Sequence, residues 1–189
     1  MSFPMNLGGM PIVTASEMYR AEESAARAGV SKLELMENAC QSIVSEITSR
    51  WTPRKTLVLC GPGQNGGDGL GVACLLQQRR WIIDVVRCFP DKGFEGNAQI
   101  MSERWGGPWM DEESVRLEDY ALVVDAVLGI GLKRELEPRL SSFFEKINAL
   151  NIDVVAVDIP TGISSGTGDV LGGSLHANLT VSFGWPKPA

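Results

Sequence analysis

Lys55-Thr56-Leu57-Val58-Leu59-Cys60-Gly61-Pro62-Gly63-Gln64-Asn65-Gly66-Gly67-Asp68-Gly69-Leu70 is the stretch that decides the fold. An apolar, strand-like run, Lys55–Cys60, meets a loop with five glycines in nine residues and then a helix-like segment, Gly67–Gln78. Such a loop lets the backbone take positive φ and leaves no side chains between its N–H groups and a ligand. Strand, loop and helix start together form a seat for phosphate, and Gly61, Gly63 and Gly66 spell G-x-G-x-x-G. A tight turn alone would account for the glycines. It would not call for the amide of Asn65 and the carboxylate of Asp68.

Outward from this unit, strands and helices alternate. Two helices are expected first, behind the capping boxes Thr14-x-x-Glu17 and Ser31-x-x-Glu34. In the second, Leu33, Met36, Cys40, Ile43, Val44, Ile47 and Trp51 recur at steps that bury one face and Pro53 ends it; between the two helices, Gly29 suits a C-terminal cap. After the glycine loop, Trp81–Cys88 reads as a strand, Asn97–Trp105 as a helix and Tyr120–Val127 as a strand. Pro138–Leu150 reads as a helix, and Ile152–Ile159 and Leu179–Phe183 as strands. Strand cores such as Val154-Val155-Ala156-Val157 are continuously apolar, as strands covered on both faces are. The expected fold is α/β: a three-layer α/β/α Rossmann-like sandwich with a mostly parallel central sheet and two N-terminal helices.

The 189 residues suit one domain, with 44% hydrophobic and 21% charged residues. A net charge of −6 argues against nucleic-acid binding by phosphate neutralisation, but not against binding one small anion through backbone amides. Cys40, Cys60, Cys74 and Cys88 lie far apart among apolar residues, which reads as free, buried thiols. His176 is the single histidine, so most His-based catalysis and metal schemes are excluded. Residues 1–12 lack the pattern of a signal peptide and no stretch is long enough to span a bilayer, so a cytoplasmic location without membrane contact is expected.

Three loops leave the carboxyl ends of strands, where open α/β sheets bind ligands. The first is Gly61–Gly69. The second runs from Asp125-Ala126-Val127-Leu128 through Gly129-Ile130-Gly131-Leu132-Lys133-Arg134-Glu135, and the third is Asp158-Ile159-Pro160-Thr161-Gly162 with the Gly/Ser/Thr-rich 163–173. An aspartate after a strand often does no more than cap a turn. Three polar loops on one sheet edge point instead to a shared pocket.

Five motifs in order now meet a known pattern: Leu35-Met36-Glu37-Asn38-Ala39, the glycine loop, Asp125–Leu132, Asp158–Gly162 and Phe183-Gly184-Trp185-Pro186-Lys187-Pro188. From Met18 to Pro188 the chain resembles the NAD(P)H-hydrate epimerase (YjeF N-terminal) family. That resemblance implies an isomerase of metabolite repair, which interconverts the R and S epimers of hydrated NADH and NADPH (NADHX and NADPHX) at nicotinamide C6. It implies a single domain over residues 1–189, by itself or as the N-terminal part of a longer chain, and a homodimer. A partner ADP- or ATP-dependent dehydratase, free or fused, would consume the S form. The resemblance assigns the substrate site to Gln64, Asn65, Gly66, Gly67, Asp68, Gly129, Ile130, Gly131, Leu132, Lys133, Arg134, Glu135 and Asp158. It assigns one potassium ion per subunit to Asn65, Asp125 and Thr161, an oxygen donor set that suits a hard cation and not zinc. The chain departs from the family at Gln64, where asparagine is usual, at Thr161, usually serine, and at Ile130, Cys40 and Asn178.

Inverting C6 requires the hydroxyl to leave and return on the other face, or the ring to open and reclose. Either path needs one group that gives and takes a proton near that oxygen, and Asp158, partly desolvated by Ile159 and Pro160, is assigned that catalytic role. Glycine-loop amides would hold the pyrophosphate or ribose, with Lys133 a candidate anion contact. Two other readings stand beside this one. A scaffold of the enhancer-of-decapping type would share the fold without the activity. A plain Rossmann dehydrogenase would need Asp84 as its ribose ligand, yet Asp84 lies inside a strand-like run and not at its end.

Overall fold

The structure is a computed structural model and describes residues 5–6, 10–11, 17, 20, 23–24, 27, 29–132 and 134–183. The capping residue Thr14, most of the first expected helix and the closing motif beyond Phe183 lie outside them. Where the N-terminal segment is described, Glu17, Arg20, Glu23, Ser24 and Arg27 are helical, after a short antiparallel pair of Met5–Asn6 with Met10–Pro11.

Helix α1, Lys32–Arg50, starts where the sequence indicates. The Glu34 N–H donates to Ser31 Oγ at 3.1 Å, and Gly29 precedes the cap at φ +94°. Its stripe Met36, Cys40, Ile43, Val44 and Ile47 is buried. The alternation follows as β1 (Lys55–Cys60), α2 (Gln64–Gln78), β2 (Ile82–Arg87), α3 (Gly96–Arg104), β3 (Trp109–Met110), β4 (Leu122–Ala126), α4 (Pro138–Asn148), β5 (Asp153–Val157) and β6 (Leu179–Val181). The two-residue edge strand β3 is not legible in the sequence, because it is too short to show a period.

All six strands pair in parallel in the order β3-β2-β1-β4-β5-β6. The sheet is therefore wholly, not mostly, parallel. Chain direction across it reverses between β1 and β4, the switch point where such sheets open a crevice at their carboxyl edge. Period-two alternation splits each strand between two cores. Val58 and Cys60 face α1, α2 and α3, meeting Met36, Leu70 and Met101. Leu57 and Leu59 face α4, meeting Leu140, Phe143, Phe144 and Ile147. Each such side chain contributes about 2 kcal/mol on burial, which holds the strand ends in fixed register under the loops.

Helix α2 begins at Gln64, three residues earlier than the sequence suggests, so Asn65 is a helical residue and not a loop residue. The glycines of this stretch also act differently from the expectation. None of Gly61, Gly63, Gly66, Gly67 and Gly69 takes positive φ. Apart from Gly63, which has open space around it, they are small because neighbouring segments leave no room for a side chain. A methyl on Gly61 would fall 1.8 Å from the Val127 carbonyl oxygen, and one on Gly69 would fall 2.4 Å from Ala126 Cβ. The stretch seats α2 directly on the ends of β1 and β4.

The four cysteines are free thiols. Burial pushes those of Cys40, Cys60 and Cys88 far above their ordinary range, which makes them inert packing groups. His176 is exposed, and its N–H donates to Asn148 Oδ1 at 2.9 Å. Among the described residues, no helix is long and apolar enough to cross a membrane.

Candidate active site

The loops after β1, β4 and β5 meet beyond the switch point. From β1, the Gly61 N–H donates to Ala126 O at 3.0 Å, which stitches the glycine turn to the end of β4. Gly63 is the N-cap of α2 and carries no side-chain cap, and the first turn of α2 holds no acidic residue. Its leading N–H groups therefore sit at the strand ends with the positive end of the helix dipole and no carboxylate in their own turn.

From β4 comes Asp125, fully buried. It is clamped by Thr161, also fully buried, of the loop after β5. The Thr161 N–H donates to Asp125 Oδ2 at 2.7 Å and the Thr161 hydroxyl to Oδ1 at 2.6 Å. The hydroxyl in turn accepts from the Leu128 N–H at 3.0 Å. A third donor, the Val127 N–H, reaches Asp125 Oδ1 at 3.3 Å. Burial pushes the Asp125 carboxyl up to about 6, and the Thr161 and Val127 hydrogen bonds hold it from rising further. The second and third loops are thus locked together beneath the surface.

From β5 comes Asp158, in the left-handed region at φ +69°. That conformation is costly for most residues but tolerated by aspartate and asparagine. It is fixed from both sides: the Asp158 N–H donates to Val181 O at 2.8 Å, and the Ser182 hydroxyl donates to Asp158 O at 2.9 Å. The carboxylate accepts from the Ile130 N–H at 3.3 Å, so it reaches across to the β4 loop. Gly129 marks the convergence. A methyl there would lie 2.8 Å from Asp158 Oδ2 and 3.4 Å from Asn65 Oδ1. The first turn of α2 and the loops after β4 and β5 contribute one residue each to a single corner, and the glycine keeps the space between them open.

Asn65 Nδ2 is buried without a hydrogen-bond partner. A buried polar atom of this kind normally has one. Turning the carboxamide over would present its oxygen at the same place.

Beside the corner lies an open cleft of about 390 Å³, walled by Pro62, Phe89, Lys92, Leu132, Arg134 and Glu135 among others. Gly131, Leu132, Arg134 and Glu135 of the expected site line this cleft, whereas Asn65, Gly129, Ile130 and Asp158 form the corner. Lys133 lies outside the described residues. Gln64 is exposed on the first turn of α2, while Gly66 and Gly67 are buried packing points. Asp68 is half-buried one turn further on, its carbonyl accepting from Cys40 Sγ at 3.3 Å. Sequence reasoning missed Ser165, which donates to Ile130 O at 3.4 Å, and the cleft residues Phe89 and Lys92. Phe89 and Lys92 follow a strand whose terminal loop carries no glycine run, and its one aspartate, Asp91, does not follow the strand directly as Asp158 follows β5.

Asp84 is committed elsewhere. It accepts from the Tyr120 hydroxyl at 2.8 Å and pairs with Lys55 at 3.7 Å, within β2 and away from its carboxyl end. This removes the ribose ligand that a plain Rossmann dehydrogenase requires.

Residues 32–189 match the family described as YjeF-related protein N-terminus. The chain is 33% identical over 180 residues to an NAD(P)H-hydrate epimerase of Weissella koreensis, covering 93% of this chain and 81% of that protein. It is 37% identical over 190 residues to a bifunctional NAD(P)H-hydrate repair enzyme of Thermofilum pendens, covering 94% of this chain but only 36% of that protein. A crystal structure of the yeast protein ynu0 (YNL200c) superimposes with a TM-score of 0.81 over 95% of this chain and 82% of that one. At 22% identity that likeness speaks to the fold alone.

Proposed function

The chain belongs to the YjeF-related N-terminal family, and from that premise we propose that it is an NAD(P)H-hydrate epimerase, interconverting R and S hydrated NADH or NADPH at C6 of the nicotinamide ring. The observation that supports this most is the corner at Gly129, where Asp158 from β5 and Asn65 from α2 approach the same glycine of the β4 loop. We assign residues 1–189 to one epimerase-type domain. The dehydratase that consumes the S epimer is a separate chain or a fused domain, as in the longer bifunctional relatives.

The chemistry needs little beyond position and one proton. The C6–O bond breaks as the ring nitrogen lone pair forms a C=N bond, and the departing oxygen takes a proton to leave as water. Water then adds to the opposite face and returns a proton. Nothing is consumed. Asp158 serves both transfers, with the Ile130 N–H orienting its carboxylate and the rigid left-handed backbone fixing its direction. The open N-terminus of α2 receives the phosphates, and the cleft beyond Leu132 takes the remainder of the dinucleotide.

A potassium ion fits the residues present. Asp125 is buried with three hydrogen bonds and, among the described residues, no ion pair, so a cation would offset its charge. Asp125, Thr161 and the reoriented amide of Asn65 supply only oxygen donors. Bound there, the ion would contribute charge balance and order in the loops. Potassium should raise the melting temperature more than lithium at equal ionic strength, by thermal-shift measurement, and Asp125→Asn should abolish the difference. Equal responses to the two salts in the parent protein would remove the ion from this reading.

The activity itself is tested by chromatography of a pure R or S epimer with and without protein. Equilibration well above the spontaneous rate is expected. A rate no greater than background would return the chain to the scaffold reading, which the epimerase names of its relatives and the intact Asp125 and Asp158 disfavour.

A further inference from the structure

The corner at Asp158 stands over β5 and β4, and the open start of α2 stands over β1. The next strand outward is β2. A dinucleotide with its nicotinamide in the corner and its phosphates at α2 therefore brings its adenosine half to the carboxyl end of β2, three strand spacings or about 14 Å from β5. A sheet of this order reads the adenosine ribose there, with an acidic residue for a free diol or a basic one for a phosphate.

The loop at that place is a pinned turn. Phe89-Pro90-Asp91-Lys92 places proline at its second position, and the Lys92 N–H donates to Phe89 O at 3.1 Å. The Cys88 N–H bonds Cys60 O at 2.9 Å, and Arg87 donates to the Lys92 carbonyl. Phe89 and Lys92 line the cleft, with Lys92 Nζ 4.8 Å from the centre of the Phe89 ring. Asp91 is exposed in the turn and is not among the cleft's walls, so Lys92 is the ionisable group this loop offers. Arg134, Glu135 and Glu137 stand on the β4–α4 side of the same cleft, where their charges do not sum to a strong anion site.

We infer that Lys92, held over Phe89 at the end of β2, reads a phosphate on the adenosine ribose, so that this enzyme prefers NADPHX to NADHX. The inference rests on the epimerase reading and names its substrate preference. Lysine acts here as a point charge, so the preference weakens as salt rises.

The test compares kcat/KM for the two substrates in the parent protein, Lys92→Ala, Lys92→Arg and Lys92→Glu, with calorimetric affinities for NADP+ and NAD+ beside them. The parent should favour the phosphorylated member about tenfold in both measurements, the strength of one charge-assisted contact. Lys92→Arg should keep that ratio, Lys92→Ala should bring it near one, and Lys92→Glu should reverse it. A parent that epimerises both substrates with equal efficiency, or a ratio unmoved in Lys92→Ala, overturns the inference and leaves the epimerase standing. A parent that turns over neither substrate overturns the functional reading, and the inference with it.

Discussion

Asp158→Asn should fold, bind the dinucleotide within about tenfold of the parent, and lose on the order of a hundredfold or more in epimerisation rate. The structural side of this expectation follows from the backbone. Asp158 occupies the left-handed region at φ +69°, a conformation asparagine adopts at least as readily as aspartate. The carboxamide oxygen can still accept from the Ile130 N–H, and the backbone bonds to Val181 and Ser182 do not involve the side chain. Only the ability to cycle a proton disappears. The measurement is single-epimer kinetics beside thermal unfolding. If Asp158 merely held the turn before Pro160, asparagine would serve as well, and a rate within a few-fold of the parent would remove the acid–base assignment.

The fold was largely legible because strands buried on both faces leave continuous apolar runs, and because α1 carries both a cap and a stripe. Ser31 and the run Met36 to Ile47 each do in the structure what their spacing indicates, Ser31 capping the helix through the Glu34 backbone N–H. Edge strand β3 was not legible, since Trp109–Met110 is too short for a period and Trp109 is 44% exposed. The start of α2 was misread for a physical reason. Glycine is scored as a helix breaker, but Gly66 and Gly67 are helical here because neighbouring chain segments leave no room for a Cβ.

The site was legible as residues and not as geometry. Asp125, Thr161, Asn65 and Asp158 stood out as polar groups at strand ends. Nothing in their spacing indicates that Thr161 binds Asp125 through both its N–H and its hydroxyl, or that Asp158 takes a left-handed backbone. The wall formed by Phe89 and Lys92 was missed because its residues are ordinary surface types. Their meaning comes from β2 lying next to β1, a long-range pairing that local pattern does not encode.

Gly66→Ala should destabilise the protein by about 3 kcal/mol or more, or prevent folding, although helix propensity alone favours alanine by about 1 kcal/mol. The added methyl would lie 1.8 Å from the Gly61 carbonyl oxygen, well inside contact distance. Relief by a shift of Gly61 is blocked in turn. Its N–H is bonded to Ala126 O at 3.0 Å, and its own Cα lies against the Val127 carbonyl. Moving it would push on the end of β4, where Asp125 is clamped by Thr161. The strain therefore spreads through stacked backbones that cannot repack as side chains do. Gly63→Ala supplies the control, since nothing lies within 4 Å of its Cβ position and the change at an N-cap costs less than about 1 kcal/mol. Denaturant unfolding followed by circular dichroism separates the two variants. A Gly66→Ala protein as stable as the parent would mean that α2 is not seated on the Gly61 carbonyl, and that the packing reading of this glycine stretch is wrong.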